Sequence, residues 1–350
     1  MSKGNCTTLI GIFAGCLLVT AAAAQPAQPV PTVSAPVSDL LASSPSLTIG
    51  NGHIVAHIAP PGPNAFYRGT RFDQAGVVTS LILKGREFYG PWFDRTAPNV
   101  LDYAYDAKGA LVGGPDSATS GPVEEFAPLD FKAAPGFFVK IGVGTLRQPD
   151  AQPYDHYRHY KVEDPGTWTI SPSQTGVTFI QVLKHGETAY TYEKILRLVP
   201  GKPQLIIEHR LTNTGNGPIN TTVYDHNFLR LVQGNAGTEI TFPFLFTIAA
   251  NPPPPDLIRI EGKTLTYLRP MKPKERISFL VTGFAETVAD YDIAIRAGEA
   301  GVNIKGDQPI TRLNIFSIDK VQSVEPYIAL NIAPGQEKRW SYTYTFTVPD

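Results

Sequence analysis

"GVTFIQVLKHGETAYTYEKILRLVPGKPQLIIEHRLTNTGNGPINTTVYDHNFLRL" runs from residue 176 to residue 231. Apolar and polar residues alternate through it in four segments, broken at "HGE", "PGKP" and "NTGNG". A period of two puts every second side chain on the same face, which is the pattern of a strand with one side buried. The breaks carry the Gly, Pro and Asn that tight turns need, so the stretch reads as consecutive antiparallel hairpins.

The same pattern extends both ways. Upstream it recurs in "LTIGNGHIVAHIAP", "VVTSLILKGREFYG" and "GFFVKIGVGTLRQP". Downstream it recurs in "TEITFPFLFTIAA", "ISFLVTGFA", "DYDIAIRA", "TRLNIFSI", "PYIALNIAPG" and "KRWSYTYTFTV". No segment holds a helical period over three turns. Many strands without strand–helix–strand alternation predict an all-β protein, and two large packed antiparallel sheets bury such strands best. We expect one β-sandwich domain over residues 46–350.

The N-terminus reads as a secretory signal. "MSKGNCTTLIGIFAGCLLVTAAAAQ" has Lys3, an apolar stretch and an Ala-x-Ala exit before Gln25, so residues 1–24 are expected to be removed on export to the periplasm or medium. Lipidation at Cys16 is the lesser reading, because "LLV" after it places the cysteine inside the apolar stretch. Residues 25–45 are rich in Pro, Ala and Ser and read as a tether. Both cysteines, Cys6 and Cys16, fall in the signal, so the mature chain has no thiol for catalysis, metal or disulfide.

Charge excludes other classes. The net charge is −1 and no run of five like charges occurs, which argues against nucleic acid and polybasic membrane surfaces as partners. The chain has no P-loop, dinucleotide fingerprint, HExxH or G-x-S-x-G elbow.

Of the seven histidines, His226 stands out. On a strand it shares a face with Tyr224 and Phe228, either as a hydrogen-bonded core residue or at the floor of a cleft. His53 and His57 read as exposed polar groups on an early strand, and "DHYRHY" at 155–160 as a polar loop or a sugar-binding rim. Glu325 lies in an apolar stretch, where a carboxylate needs a partner. Glu124 and Glu125 follow a Gly-rich loop, and Arg68 and Arg71 lie on a stretch with Tyr67 and Phe72.

The order of these pieces resembles the aldose 1-epimerases of the galactose mutarotase-like superfamily. The resemblance rests on "AGVVTSLILKGREFYG", on the Asn213 and Gly215 turn leading to the strand with His226 and Phe228, and on the ending. That ending combines Glu325-Pro326, Pro334-Gly335 and a final aromatic strand, "WSYTYTF". It spans most of residues 46–348. The resemblance implies a large antiparallel supersandwich and a cofactor- and metal-independent isomerase that interconverts sugar anomers. It implies His226 as general acid toward the ring oxygen and Glu325 as general base at the anomeric hydroxyl. The sequence departs from the family in three respects. "YRGTRFDQAG" is longer and more charged than the usual strand turn, and the family's additional substrate-binding aspartate has no clear counterpart. No histidine lies between His57 and His156, where a second active-site histidine is usual. Glu124 or Glu125 is expected in its place, and Arg68 or Arg71 is expected to grip a substrate carboxylate, phosphate or hydroxyl. The rival reading is a periplasmic glycan-binding or glycan-cleaving sandwich, a hydrolase or lyase. It would use paired carboxylates, Glu125 opposite Glu325, in a groove lined by Trp92, Tyr157 and Trp168.

Overall fold

A computed structural model describes Met1 and residues 35–96, 104–105, 111–112 and 119–349. The expected signal peptide lies outside the described residues.

Two sheets dominate. A ten-stranded antiparallel sheet includes the neighbouring strands Gly176–His185, Thr188–Leu198, Gln204–Asn213 and Glu337–Thr347, the first three strands of the stretch that opens the sequence plus the last strand. The fourth strand of that stretch, Ile219–His226, does not continue the hairpins and lies in the other sheet. A six-stranded antiparallel sheet runs in the order Thr247–Ala250, Arg276–Thr282, Arg312–Ile318, Gln322–Ile332, Ile219–His226 and Val123–Phe126. Smaller sheets flank them, one of four strands (Leu47–Gly50 to Arg86–Tyr89) and one of three (Gly136–Lys140, Gly144–Gln148, Lys161–Asp164). The all-β expectation therefore holds.

The two large sheets meet face to face. Phe126 of the smaller packs edge-on against Tyr192 and Trp340 of the larger, with ring centroids 5.4 and 6.2 Å apart. Burying one such aromatic contributes on the order of 2 kcal/mol. Alternation sets which residues do this: Gln204–Asn213 buries every second side chain, from Leu205 through Ile207 and His209 to Leu211.

The turn between Asn213 and Ile219 is fixed by side-chain chemistry. Asn213 accepts from the Gly215 N–H at 3.0 Å and donates to the Gly217 and Ile332 carbonyls at 2.9 Å. Gly215 is needed there because a Cβ would come within 2.3 Å of the Glu187 carbonyl oxygen.

The stretch expected as a tether is structured at its end. Ala35–Pro36 pairs with Arg95–Thr96, and Val37–Ser43 forms a short helix. Val37 and Leu40, three apart and so on one helical face, pack against a cluster that includes Phe66, Trp92 and Phe93.

Candidate active site

The outer face of the six-stranded sheet carries a pocket. Four neighbouring strands contribute to it at alternate positions: Arg276 and Ser278, then Arg312, Asn314 and Phe316, then Glu325 and Tyr327, then Tyr224 and His226. Arg71 enters from the 60–76 loop, and His156 and Tyr157 from the 151–160 loop. The cavity between these side chains has a volume of about 110 Å³ and opens to solvent.

His226 and Glu325 form its floor. His226 Nε2 lies 3.2 Å from Glu325 Oε1, and both side chains are at least 95% buried. Asn314, directly opposite Glu325 in the strand register, donates its amide to Oε2 at 2.8 Å. The imidazole sits in an aromatic box. Phe228 stacks on it at 3.7 Å, while Phe72 and Phe316 meet it edge-on at 5.5 and 5.2 Å. Phe228 reaches that place because its φ is 45°, a left-handed conformation rare for a bulky residue. Behind the strand end, Gly121 lies so near that a Cβ would come within 2.5 Å of the His226 and Asn227 carbonyl oxygens.

Burial disfavours charge on both groups. It pushes the Glu325 carboxyl up to about 7, against the opposing pull of Asn314 and Arg71. It holds the His226 imidazole well below its ordinary value, and the Arg71 guanidinium adds to this. Near neutral pH the carboxyl is therefore partly protonated, and the imidazole beside it is neutral. His226 Nδ1 has no hydrogen-bond partner among the described residues.

Glu125 lies beside the pocket as an anchor for Arg71. It accepts from Arg71 Nε at 2.8 Å and from the Tyr224 hydroxyl at 2.5 Å, with His156 Nδ1 at 3.2 Å and Lys140 Nζ at 3.8 Å. Burial would raise its pKa, but Arg71, Lys140 and His156 together hold it well below the usual carboxylate range. A carboxylate so firmly ionised and paired is poorly placed to move protons, and serves to aim Arg71 instead.

Two expected site residues are elsewhere. Glu124 faces the opposite way, into the sandwich, because neighbouring side chains on a strand alternate. There it meets Lys194 Nζ and His209 Nε2, the latter at 2.8 Å. Arg68 is exposed and does not line the pocket. Trp92 is buried against Phe228 and Trp168 packs on the main core, so the aromatic groove imagined for a glycan is not formed by them. Of "DHYRHY", His156 and Tyr157 line the pocket, Arg158 is tied to Asp150 at 2.8 and 3.0 Å, and His159 is exposed.

The sequence reading missed Arg276, Ser278, Arg312 and Asn314. Their signal is two polar residues in alternation at the start of "RISFLVT" and of "RLNIFSI", which also describes any solvated strand face. Among the described residues, no three His, Cys, Asp or Glu side chains converge as metal ligands do.

No protein-family model matches the chain, and no curated protein matches it in sequence. Solved structures do match in three dimensions. The Slr1438 protein of Synechocystis sp. PCC 6803 superposes with a TM-score of 0.51 at 11% identity, covering 87% of this chain and 96% of that one. A candidate aldose 1-epimerase of Escherichia coli K12 superposes with a TM-score of 0.50 at 13% identity, covering 86% and 98%. The chain therefore shares the fold of these two structures, across nearly the whole length of both.

Proposed function

We propose that this protein is an exported aldose 1-epimerase-like enzyme that interconverts the anomers of a sugar through His226 and Glu325. The observation that carries the reading is their 3.2 Å contact at the floor of an open pocket. Ring opening breaks the bond between the anomeric carbon and the ring oxygen. One group must take the proton of the anomeric hydroxyl while another delivers a proton to the ring oxygen. Both oxygens are bonded to the same carbon, so their acid and base must converge, as these two side chains do. Rotation of the open carbonyl and closure on its other face gives the opposite anomer and restores both protons. No cofactor enters this chemistry.

In its protonated form Glu325 can give its proton first while the neutral His226 accepts. This is the reverse of the roles the family resemblance implies. The two schemes differ by one proton moved across the 3.2 Å contact, and each group must act in both senses for the reaction to run both ways. Export is supported by the signal-like N-terminus, and the mature chain should begin near Gln25.

Anomeric proton exchange, measured by NMR over a panel of aldoses, tests the reading. Wild type should speed exchange of at least one aldose, and His226→Gln and Glu325→Gln should not. If Glu125→Gln alone abolishes activity and the other two variants keep it, a carboxylate-driven glycan reaction is the better account.

A further inference from the structure

We propose that the pocket takes an aldose bearing an anionic substituent, a carboxylate or a phosphate, gripped by Arg312 and Arg276 at the mouth. The proposal rests on the epimerase reading for the reaction, but the charge argument stands on the pocket itself.

Three guanidinium groups converge on one space in which, among the described residues, the lining contains a single carboxyl, Glu325. Arg71 is matched from outside the lining by Glu125. Arg312 forms no ion pair among the described residues, and its guanidinium lies 5.0 Å from the centroid of the Tyr327 ring. Arg276 donates to the Tyr157 hydroxyl at 2.5 Å and lies over Phe316 at 5.4 Å. Both arginines are exposed strand residues, yet each is laid inward across an aromatic ring. Glu325 does little to offset them, because burial favours its neutral form. Like charges brought together repel unless an anion joins them.

The spacing suits a substituted sugar. Arg312 lies two residues along its strand from Asn314, which binds Glu325. Two residues of strand span roughly 7 Å. A pyranose with its anomeric centre at His226 and Glu325 can therefore direct an exocyclic acid toward Arg312. A planar guanidinium suits either acid, since it donates two parallel hydrogen bonds to carboxylate or phosphate.

The test compares glucuronate and galacturonate, glucose 6-phosphate and galactose 6-phosphate, and the two neutral parents, at low ionic strength. For wild type, kcat/KM for at least one anionic sugar should exceed that of its neutral parent by about 10- to 100-fold, the size of a hydrogen bond to a charged group. Salt should narrow the gap. The preferred pair of sugars tells carboxylate from phosphate. The double variant Arg276→Gln/Arg312→Gln should bring the ratio close to one. A neutral sugar that does as well as every anionic one overturns the proposal, as does a preference that survives the double variant. Should no sugar exchange faster than in buffer, the epimerase reading fails, and calorimetric titration with the same six sugars decides the charge question. Anionic sugars that bind wild type but not the double variant then uphold it, and equal or absent binding overturns it.

Discussion

Glu124 and Glu125 are neighbours in the chain and face opposite sides of one sheet. Glu124 pairs in register with Asp225 and points into the sandwich, where Lys194 and His209 meet it. Glu125 pairs with Tyr224 and points outward, where it holds Arg71. The inner group belongs to a wholly buried network. Lys194 lies 3.4 Å from Asp73 as well, Tyr192 donates to Asp73 at 2.9 Å, and Tyr344 donates to Asp225 at 2.6 Å. Burial would raise the Glu124 pKa, but Lys194 and His209 draw it down to about 2. Asp73 is pushed up to about 7 by burial, so Glu124 is the more firmly charged of the two carboxyls that meet the Lys194 ammonium.

Lys194→Met should be among the most damaging substitutions. It leaves Glu124 charged in the interior, and breaking a buried pair costs about 3–5 kcal/mol. Urea denaturation at neutral pH should show a loss of that size. Part of it should return in mild acid, as Glu124 without its ammonium takes up a proton. A loss below ~1 kcal/mol would mean the network is not held by charge.

His226→Gln and Glu325→Gln should each lower turnover by about 10²–10⁴-fold. Their effects should not multiply in the double variant, because both act on one coupled transfer. Additive losses in activation free energy would separate the two groups.

Turnover should fall as pH rises through about 7, where Glu325 loses its proton. Stability should follow the same sign. A carboxyl whose folded pKa is raised binds more protons folded than unfolded, so its stabilisation is present in acid and lost as pH rises through the folded value. Between mild acid and pH ~8, Glu325→Gln should show a flatter melting profile than wild type. A parallel pair of profiles would rule out Glu325 as the titrating group.

Glu125→Gln should act through Arg71 rather than through proton transfer. It should raise KM several-fold while changing kcat less, and leave the pH profile in place. A shift of the profile would show that Glu125 titrates in the reaction.

The strands of the ten-stranded sheet could be read because their alternation is long, as in the eleven residues of Thr188–Leu198. The strand carrying Glu124 and Glu125 could not be oriented. It has only four residues, all of them buried, so no contrast between faces is written in it. His226 and Glu325 were reached through the order of motifs, since 99 positions of sequence hide the adjacency of their strands. The helix at Val37–Ser43 was obscured by Pro and Ser around it. Arg276 and Arg312 escaped because nothing in a strand-edge arginine says which loop will fold across it.

The pocket is written on every second residue of four strands, and the sandwich interior on the residues between. Selection can therefore act on the two almost separately. A library that varies Ser278, Arg276, Arg312 and Tyr327 touches no side chain that joins the sheets, so new specificities could be sampled without first rescuing folding. Ancestral changes of substrate would have faced the same low barrier.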